Sequence, residues 1–190
     1  MDFTKYIDII RMRMSDKRFC HSLAVAESSR ELAVQYGEDP GRAYLAGVLH
    51  DIAKEMDTIY VLQTLHEFGI ILDSVQKETP KLLHGIMGEQ ILKRELFIDD
   101  TGVLNAVRYH TTARPDMSKL EKILYLADFI SADRDYPGVK DIRNAALLGL
   151  DSGVYAGLRF AICNLVEENK QIHPDSIGAY NQMCGILKKR

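Results

Sequence analysis

Cysteine is scarce and poorly placed for pairing. The three residues Cys20, Cys163 and Cys184 lie far apart and form no CxxC spacing. An odd number of scattered thiols argues against a disulfide frame and against a thiolate zinc site. It fits a reducing, cytoplasmic setting in which each packs as a small core side chain. Long apolar runs are missing too, since nothing approaches the roughly 18 residues that a membrane span needs. The opening MDFTKYIDIIRMRM lacks the basic start and apolar stretch of a secretory signal. Nor is there a surplus of positive charge: 24 lysines and arginines face 27 aspartates and glutamates, for a net charge of −3. Chains that bind nucleic acid or anionic membranes usually carry a broad basic field. The expected partner is therefore a small molecule, with neither nucleic acid nor membrane, and any phosphate would be gripped by a few placed lysines or arginines.

Alternation of period two, internal repeats and low-complexity segments are also absent, and what remains is helical. At 190 residues and 46% apolar composition the chain has enough material for one buried core, read as a single domain over 1–190. Phe3, Tyr6, Ile7, Ile10 and Met14 follow helical spacing over 2–14. A second helix runs from Ser15 and Asp16 to about Tyr36, where Gly37 stops it. Asp39 and Pro40 suit the N-cap and first position of a third. Asp57 or Thr58 opens a fourth, closed by Gly69, and 70–79 reads as irregular. Pro80 begins a fifth helix, and Asp100 and Thr101 a sixth that ends at His110. Ser118 and Glu121, in SKLE, form a capping box for a helix whose Leu120, Ile123, Leu124, Ala127 and Ile130 share one face. A turn-rich loop over 131–138 precedes helices near 141–148, 152–169 and 175–189. All five prolines fall at or beside these boundaries. The expectation is an all-α bundle of about nine or ten helices.

The chain is organised around LAGVLHDIAK, residues 45–54, where an apolar helical run ends in His50 and Asp51. Neighbours on a helix point about 100° apart, so the two are expected to converge on something at the edge of the apolar face. A metal ion is the natural candidate. An isolated His-Asp pair is commonplace. Here His21, His84, His110 and Asp128 accompany it, each in an apolar helical setting. Four imidazoles and two carboxylates, without a thiolate, suit Fe, Mn, Zn, Ni, Co or Mg. Asp128 sits beside the apolar stripe of its helix, where an unpartnered carboxylate is costly, so it must be paired, metal-bound or at the rim.

The order H, then HD, then D on separate helices resembles the HD superfamily of metal-dependent phosphohydrolases. KRFCHSLAVAE, AGVLHDIAKE, LLHGIMGEQIL, NAVRYHTTAR, LEKILYLADFIS and RDYPGV are similar to strings of the YqeK family, the symmetrical dinucleoside tetraphosphate hydrolases of that superfamily. The resemblance runs from about Asp16 to the last helix. It implies one metal on His21, His50, Asp51 and Asp128, and a second on His84 and His110 with Asp51 bridging. Two divalent or trivalent ions per chain are implied, iron first, with Mn, Zn, Co, Ni and Mg as alternatives. Asp51 and Lys54 would serve catalysis. Lys54, Thr111, Thr112, Arg134, Asp135 and Gly138 would meet a nucleotide substrate, with Arg18 and Arg114 behind them. The implied reaction is attack by a metal-activated water on diadenosine tetraphosphate, giving two ADP. A homodimer is compatible with the pattern.

Other readings stay open on the residues themselves. Lys54 also fits a dipole partner at its helix end, and Arg134 a loop pair with Asp133 or Asp135. Gly85 and Gly88 fit close helix packing. His66 and His173 read as ordinary caps or core residues. The protein also fits a different HD phosphohydrolase, a nucleotidase or a cyclic-nucleotide or alarmone phosphodiesterase, or a metal- and nucleotide-binding sensor without catalysis.

Overall fold

The computed structural model describes residues 2–189, with Met1 and Arg190 outside them. Among the described residues there are eleven α-helices, one 3-10 turn and no strand. The helices are α1 (Thr4–Arg13), α2 (Asp16–Tyr36), α3 (Pro40–Leu49), α4 (Thr58–Glu67), α5 (Ser74–Glu78), α6 (Leu83–Arg94), α7 (Thr101–Tyr109), α8 (Lys119–Ile130), α9 (Val139–Leu148), α10 (Leu150–Glu167) and α11 (Pro174–Leu187). Most starts follow the expected capping chemistry. The Ser15 hydroxyl accepts from the Arg18 amide, Asp39 from the amides of Gly41 and Arg42, and Asp57 from that of Tyr60. Ser118 and Glu121 form the reciprocal capping box of α8.

The stretch 70–79 departs from expectation. It holds the short helix α5, because Asp73 and Gln76 make a second capping box that five residues of sequence periodicity do not reveal. The 3-10 turn Pro80–Leu82 leads from it into α6. This strap is fastened to the other end of the chain. His173 Nε2 donates to Asp73 Oδ2 at 2.8 Å, and His173 caps α11 by accepting from the Asp175 amide.

Helix α8 runs through the middle of the bundle, with α2, α3 and α7 against it as well as α9 and α10. That position explains why Leu124, Tyr125, Leu126 and Ala127 are all buried although four successive residues cover the whole circumference of a helix. Two glycines set the closest approaches. A Cβ at Gly47 of α3 would stand 2.5 Å from the Ala26 Cα of α2, and one at Gly85 of α6 would stand 2.6 Å from the Arg108 carbonyl of α7. These contacts bring α2 against α3, and α6 against α7, near the ends that carry histidine.

The cysteines correct the sequence expectation. All three are free, but Cys20 and Cys163 are exposed and Cys184 is half-buried. Cys20 precedes the inward-facing His21 by one residue, and a turn of about 100° carries its thiol to the outer face of α2.

Candidate metal centre

Four helix ends and the second turn of a fifth helix deliver the six candidate ligands. His21 stands in the second turn of α2, His84 at the start of α6, and Asp128 in the last turn of α8. His50 and His110 are the residues at which α3 and α7 end. His50 and Asp51 do not straddle the rim of an apolar face. They are 0% and 2% exposed, because α3 stops at Leu49 and the following turns fold both side chains inward. His21, His84 and His110 are buried as well. The donor atoms form three overlapping groups, each within 4.8 Å: His21, His50 and Asp51; Asp51, His84 and His110; and His50, His110 and Asp128.

Asp51 stands between two pairs of imidazoles. Its Oδ2 lies 3.4 Å from His50 Nε2 and 4.0 Å from His21 Nε2. Its Oδ1 lies 3.2 Å from His84 Nε2 and 3.6 Å from His110 Nε2. Asp128 Oδ1 is 3.0 Å from His21 Nε2 and also pairs with the Arg134 guanidinium. Asp128 is thus both paired and at the rim, with its side chain 22% exposed.

Every imidazole is oriented through its other nitrogen. Nδ1–H of His50, His84 and His110 donates to the carbonyls of Gly47, Lys81 and Val107, each at 2.7 Å and three residues back. Nδ1–H of His21 donates to Asp133 Oδ2 at 2.7 Å, and the Ser131 hydroxyl holds that carboxylate through Oδ1. Such partners leave Nε2 as a lone pair aimed inward. His84 Nε2 and His110 Nε2 are only 2.9 Å apart. Two lone pairs at that distance repel unless one ring is protonated or an electron-pair acceptor lies beside them. Burial pushes the His84 imidazole down to about 4, which disfavours protonation.

The residues present therefore fit a divalent metal ion. His50 Nε2 and Asp51 Oδ1 are buried without a hydrogen-bond partner, although two cations bond neighbouring atoms of the cluster. Arg18 Nη1 donates to Asp51 Oδ2 at 2.7 Å, and Lys54 Nζ to His84 Nε2 at 3.1 Å. Burial raises the Asp51 carboxyl, yet His50, His110 and His84 together hold it far below the usual carboxylate range. Asp128 is held low in the same way, with His21, His50 and Arg134 outweighing its burial. Deprotonated carboxylates and neutral imidazoles are the forms that bind metal, so the His50 imidazole, raised against its burial by Asp51 and Asp128, would give up a proton to an ion.

The outer residues sort differently from the sequence reading. Lys54 does not cap its helix. It lies in the turn after α3, with Nζ also 3.8 Å from Asp51 Oδ1. Thr111 Oγ1 is 3.2 Å from Nε2 of both His84 and His110, whereas Thr112 hydrogen-bonds the Ala113 carbonyl. Arg134 pairs with Asp128 and not with its loop neighbours. Arg143 pins this loop by donating to the carbonyls of Ile130, Ser131 and Arg134. Asp135 is exposed, and Gly138, at φ +98°, begins α9 against the Phe160 ring, so neither joins the cluster. Arg114 is occupied by Glu121 of the α8 cap, through bonds of 2.6 and 3.1 Å.

Sequence reasoning passes over Asp133 as the partner of His21, offering it only as a loop pair for Arg134 in the turn-rich stretch 131–138. It also missed Phe129, Tyr136 and Phe160. These line a cavity of about 280 Å³ with His110, Asp128 and Arg134. A second cavity, of about 390 Å³, reaches His84 and is bordered by Arg18, Lys54 and Lys81.

With that geometry in place, known proteins supply a match. The HD domain family matches residues 18–133. A Halalkalibacterium halodurans protein named symmetrical bis(5'-nucleosyl)-tetraphosphatase is 35% identical over 183 residues, covering 96% of this chain and 97% of its own. A Staphylococcus aureus protein of the same name is 35% identical, covering 95% and 94% respectively. A crystal structure described as a predicted HD superfamily hydrolase involved in NAD metabolism, from Clostridium acetobutylicum, superposes with a TM-score of 0.93. That protein is 33% identical, and the match covers 100% of this chain and 99% of its own.

Proposed function

Because the chain belongs to the HD domain family and pairs over nearly its whole length with symmetrical bis(5'-nucleosyl)-tetraphosphatases, we propose that it hydrolyses diadenosine tetraphosphate at its centre, at a site holding two metal ions. It is a metal-dependent phosphohydrolase with a small-molecule nucleotide substrate. No helix among the described residues is long and apolar enough to cross a membrane.

The observation that carries the two-metal reading is the division of Asp51, one oxygen toward His50 and His21 and the other toward His84 and His110. His21, His50, Asp51 and Asp128 would hold one ion, and His84, His110 and Asp51 the second. Imidazole and carboxylate donors accept several metals, so availability decides the occupant. Iron is the first expectation, and elemental analysis of protein purified without chelators decides it. The ions, when bound, supply Lewis acidity to phosphate oxygens and to water.

The chain's own residues do the rest. Lys54 places an ammonium between Asp51 and the larger cavity, where a phosphate arriving at the cluster meets it as a point charge. Arg134, whose Nε and Nη2 are anchored on Asp128, keeps Nη1 for the other side of the same phosphate chain. Thr111 offers a hydroxyl at His84 and His110. Phe129, Tyr136 and Phe160 give one adenosine an aromatic wall, with the Tyr136 hydroxyl fixed on the Phe129 carbonyl at 2.9 Å. The adenosine's two nearest phosphates then reach the cluster. Water attacks the second phosphorus, the bridging P–O bond breaks, and the second ADP leaves with the bridging oxygen while a proton is released.

Diadenosine tetraphosphate should give ADP alone, and in heavy-oxygen water half of that ADP should carry the label. ATP plus AMP would mean that another phosphorus is attacked, and the proposal would fail.

A further inference from the structure

The two cavities beside the cluster share no lining residue, and they differ in chemistry. The smaller has the aromatic wall already assigned to one nucleoside. The larger, about 390 Å³, is apolar on one side, with Met56, Val61 and Leu83, and cationic where it meets the cluster. Its size lies within the usual range of small-molecule pockets. We propose that this larger cavity is a second nucleotide pocket, which holds the departing nucleoside diphosphate: the base lies against Met56, Val61 and Leu83, and Arg18, Lys54 and Lys81 face the phosphates.

Charge favours that occupant over a neutral one. Glu55 is the sole carboxylate on the wall, and both of its oxygens are taken by Ser15, through the amide at 2.6 Å and the hydroxyl at 2.7 Å. Three cations thus face the cavity against one carboxylate that is already engaged. Arg18 directs Nη1 to Asp51, while its buried Nε has no partner. A guanidinium with donors to spare beside the cluster suits a phosphate oxygen. Lys81 stands at the exposed rim, and its carbonyl orients His84, so the same residue frames both the metal side and the pocket side. Occupation of both cavities lays a four-phosphate chain across Asp51 with two phosphates on either side, and that accounts for a central cut.

The proposal rests on the dinucleoside polyphosphate reading, and two measurements separate the fates of the two ideas. Metal-replete protein is titrated with ADP by calorimetry, and hydrolysis of diadenosine tetraphosphate is followed by product analysis. Wild-type protein should bind two ADP per chain. Thr58→Trp, at an exposed position on the cavity wall that leaves the N-cap bond from the Tyr60 amide to Asp57 untouched, should fill the cavity mouth. It should bind one ADP and raise KM roughly tenfold, the effect of one lost contact of about 1.4 kcal/mol. Lys81→Glu, also exposed, should weaken the second ADP and raise KM without a change of fold. One ADP per wild-type chain, or two in Thr58→Trp with unchanged KM, overturns the second pocket while central cleavage stands. A wild-type protein that leaves diadenosine tetraphosphate intact overturns the functional reading itself.

Discussion

Of the four clustered imidazoles, His21 alone is oriented by a side chain, and this makes it the one candidate ligand whose tautomer can be altered without removing it. The bond from Nδ1–H to Asp133 Oδ2 is 2.7 Å, and the Ser131 hydroxyl donates to the other oxygen at 2.7 Å. Removal of such an orienting partner typically costs about tenfold to a hundredfold in metal affinity. The Asp133 side chain is 36% exposed, which puts Asp133→Ala near the lower figure, about tenfold or 1.4 kcal/mol. Asp133→Asn should be worse, although it is the smaller change. The serine hydroxyl claims the amide oxygen, the amide NH2 then faces Nδ1, and the ring is driven to carry its proton on Nε2, where the metal should be. The expected loss is on the order of a hundredfold, as for other carboxylate-to-amide changes beside an imidazole that must keep one tautomer. Ser131→Ala added to Asp133→Asn lets the amide flip and should recover affinity to about the alanine level. Metal affinity is measured by competition with a chelator at constant pH. Wild-type affinity in Asp133→Asn, or no recovery in the double variant, would refute the tautomer argument.

Lys54→Ala should keep its metal and lose activity, because its ammonium is aimed at phosphate. One charge-assisted contact of about 1.5 to 3 kcal/mol corresponds to roughly tenfold to a hundredfold in kcat/KM. Wild-type kinetics, or loss of metal, would remove that role. A pH effect follows from His84, whose imidazole is pushed down from 6.5 to about 4 by burial. Between those values the unfolded chain binds the proton and the folded one does not, so stability rises with pH through that window. In metal-free protein, acidification from pH 6.5 to 4 should cost on the order of 3 kcal/mol from this group, all of it absent above pH 6.5. Denaturant titrations at several pH values should show a shallower slope for His84→Gln, and an unchanged slope would return the effect to other groups.

Local chemistry was legible along the chain. Caps such as Ser15, Asp39 and the Ser118–Glu121 box, glycine and proline punctuation, and 3.6-residue apolar spacing all act within a few residues, so an all-α chain with its main boundaries could be read directly. The six candidate ligands could be picked out as a set too, since histidine and aspartate in apolar helical settings are costly unless something uses them, and the structure brings their donor atoms together. Tertiary structure decided which atoms face which. The burial of both His50 and Asp51 depends on α3 ending immediately before the pair, and the division of Asp51 between two imidazole pairs depends on α3 meeting α2, and α6 meeting α7, at close-packed glycines. The allegiances of the arginines were decided there as well: Arg114 to Glu121, Arg134 to Asp128, Arg18 to Asp51. A charged side chain takes its partner from whatever carboxylate the packing brings within reach. Residues 33 positions apart, such as Arg18 and Asp51, carry no mark of that pairing until the helices between them are in place.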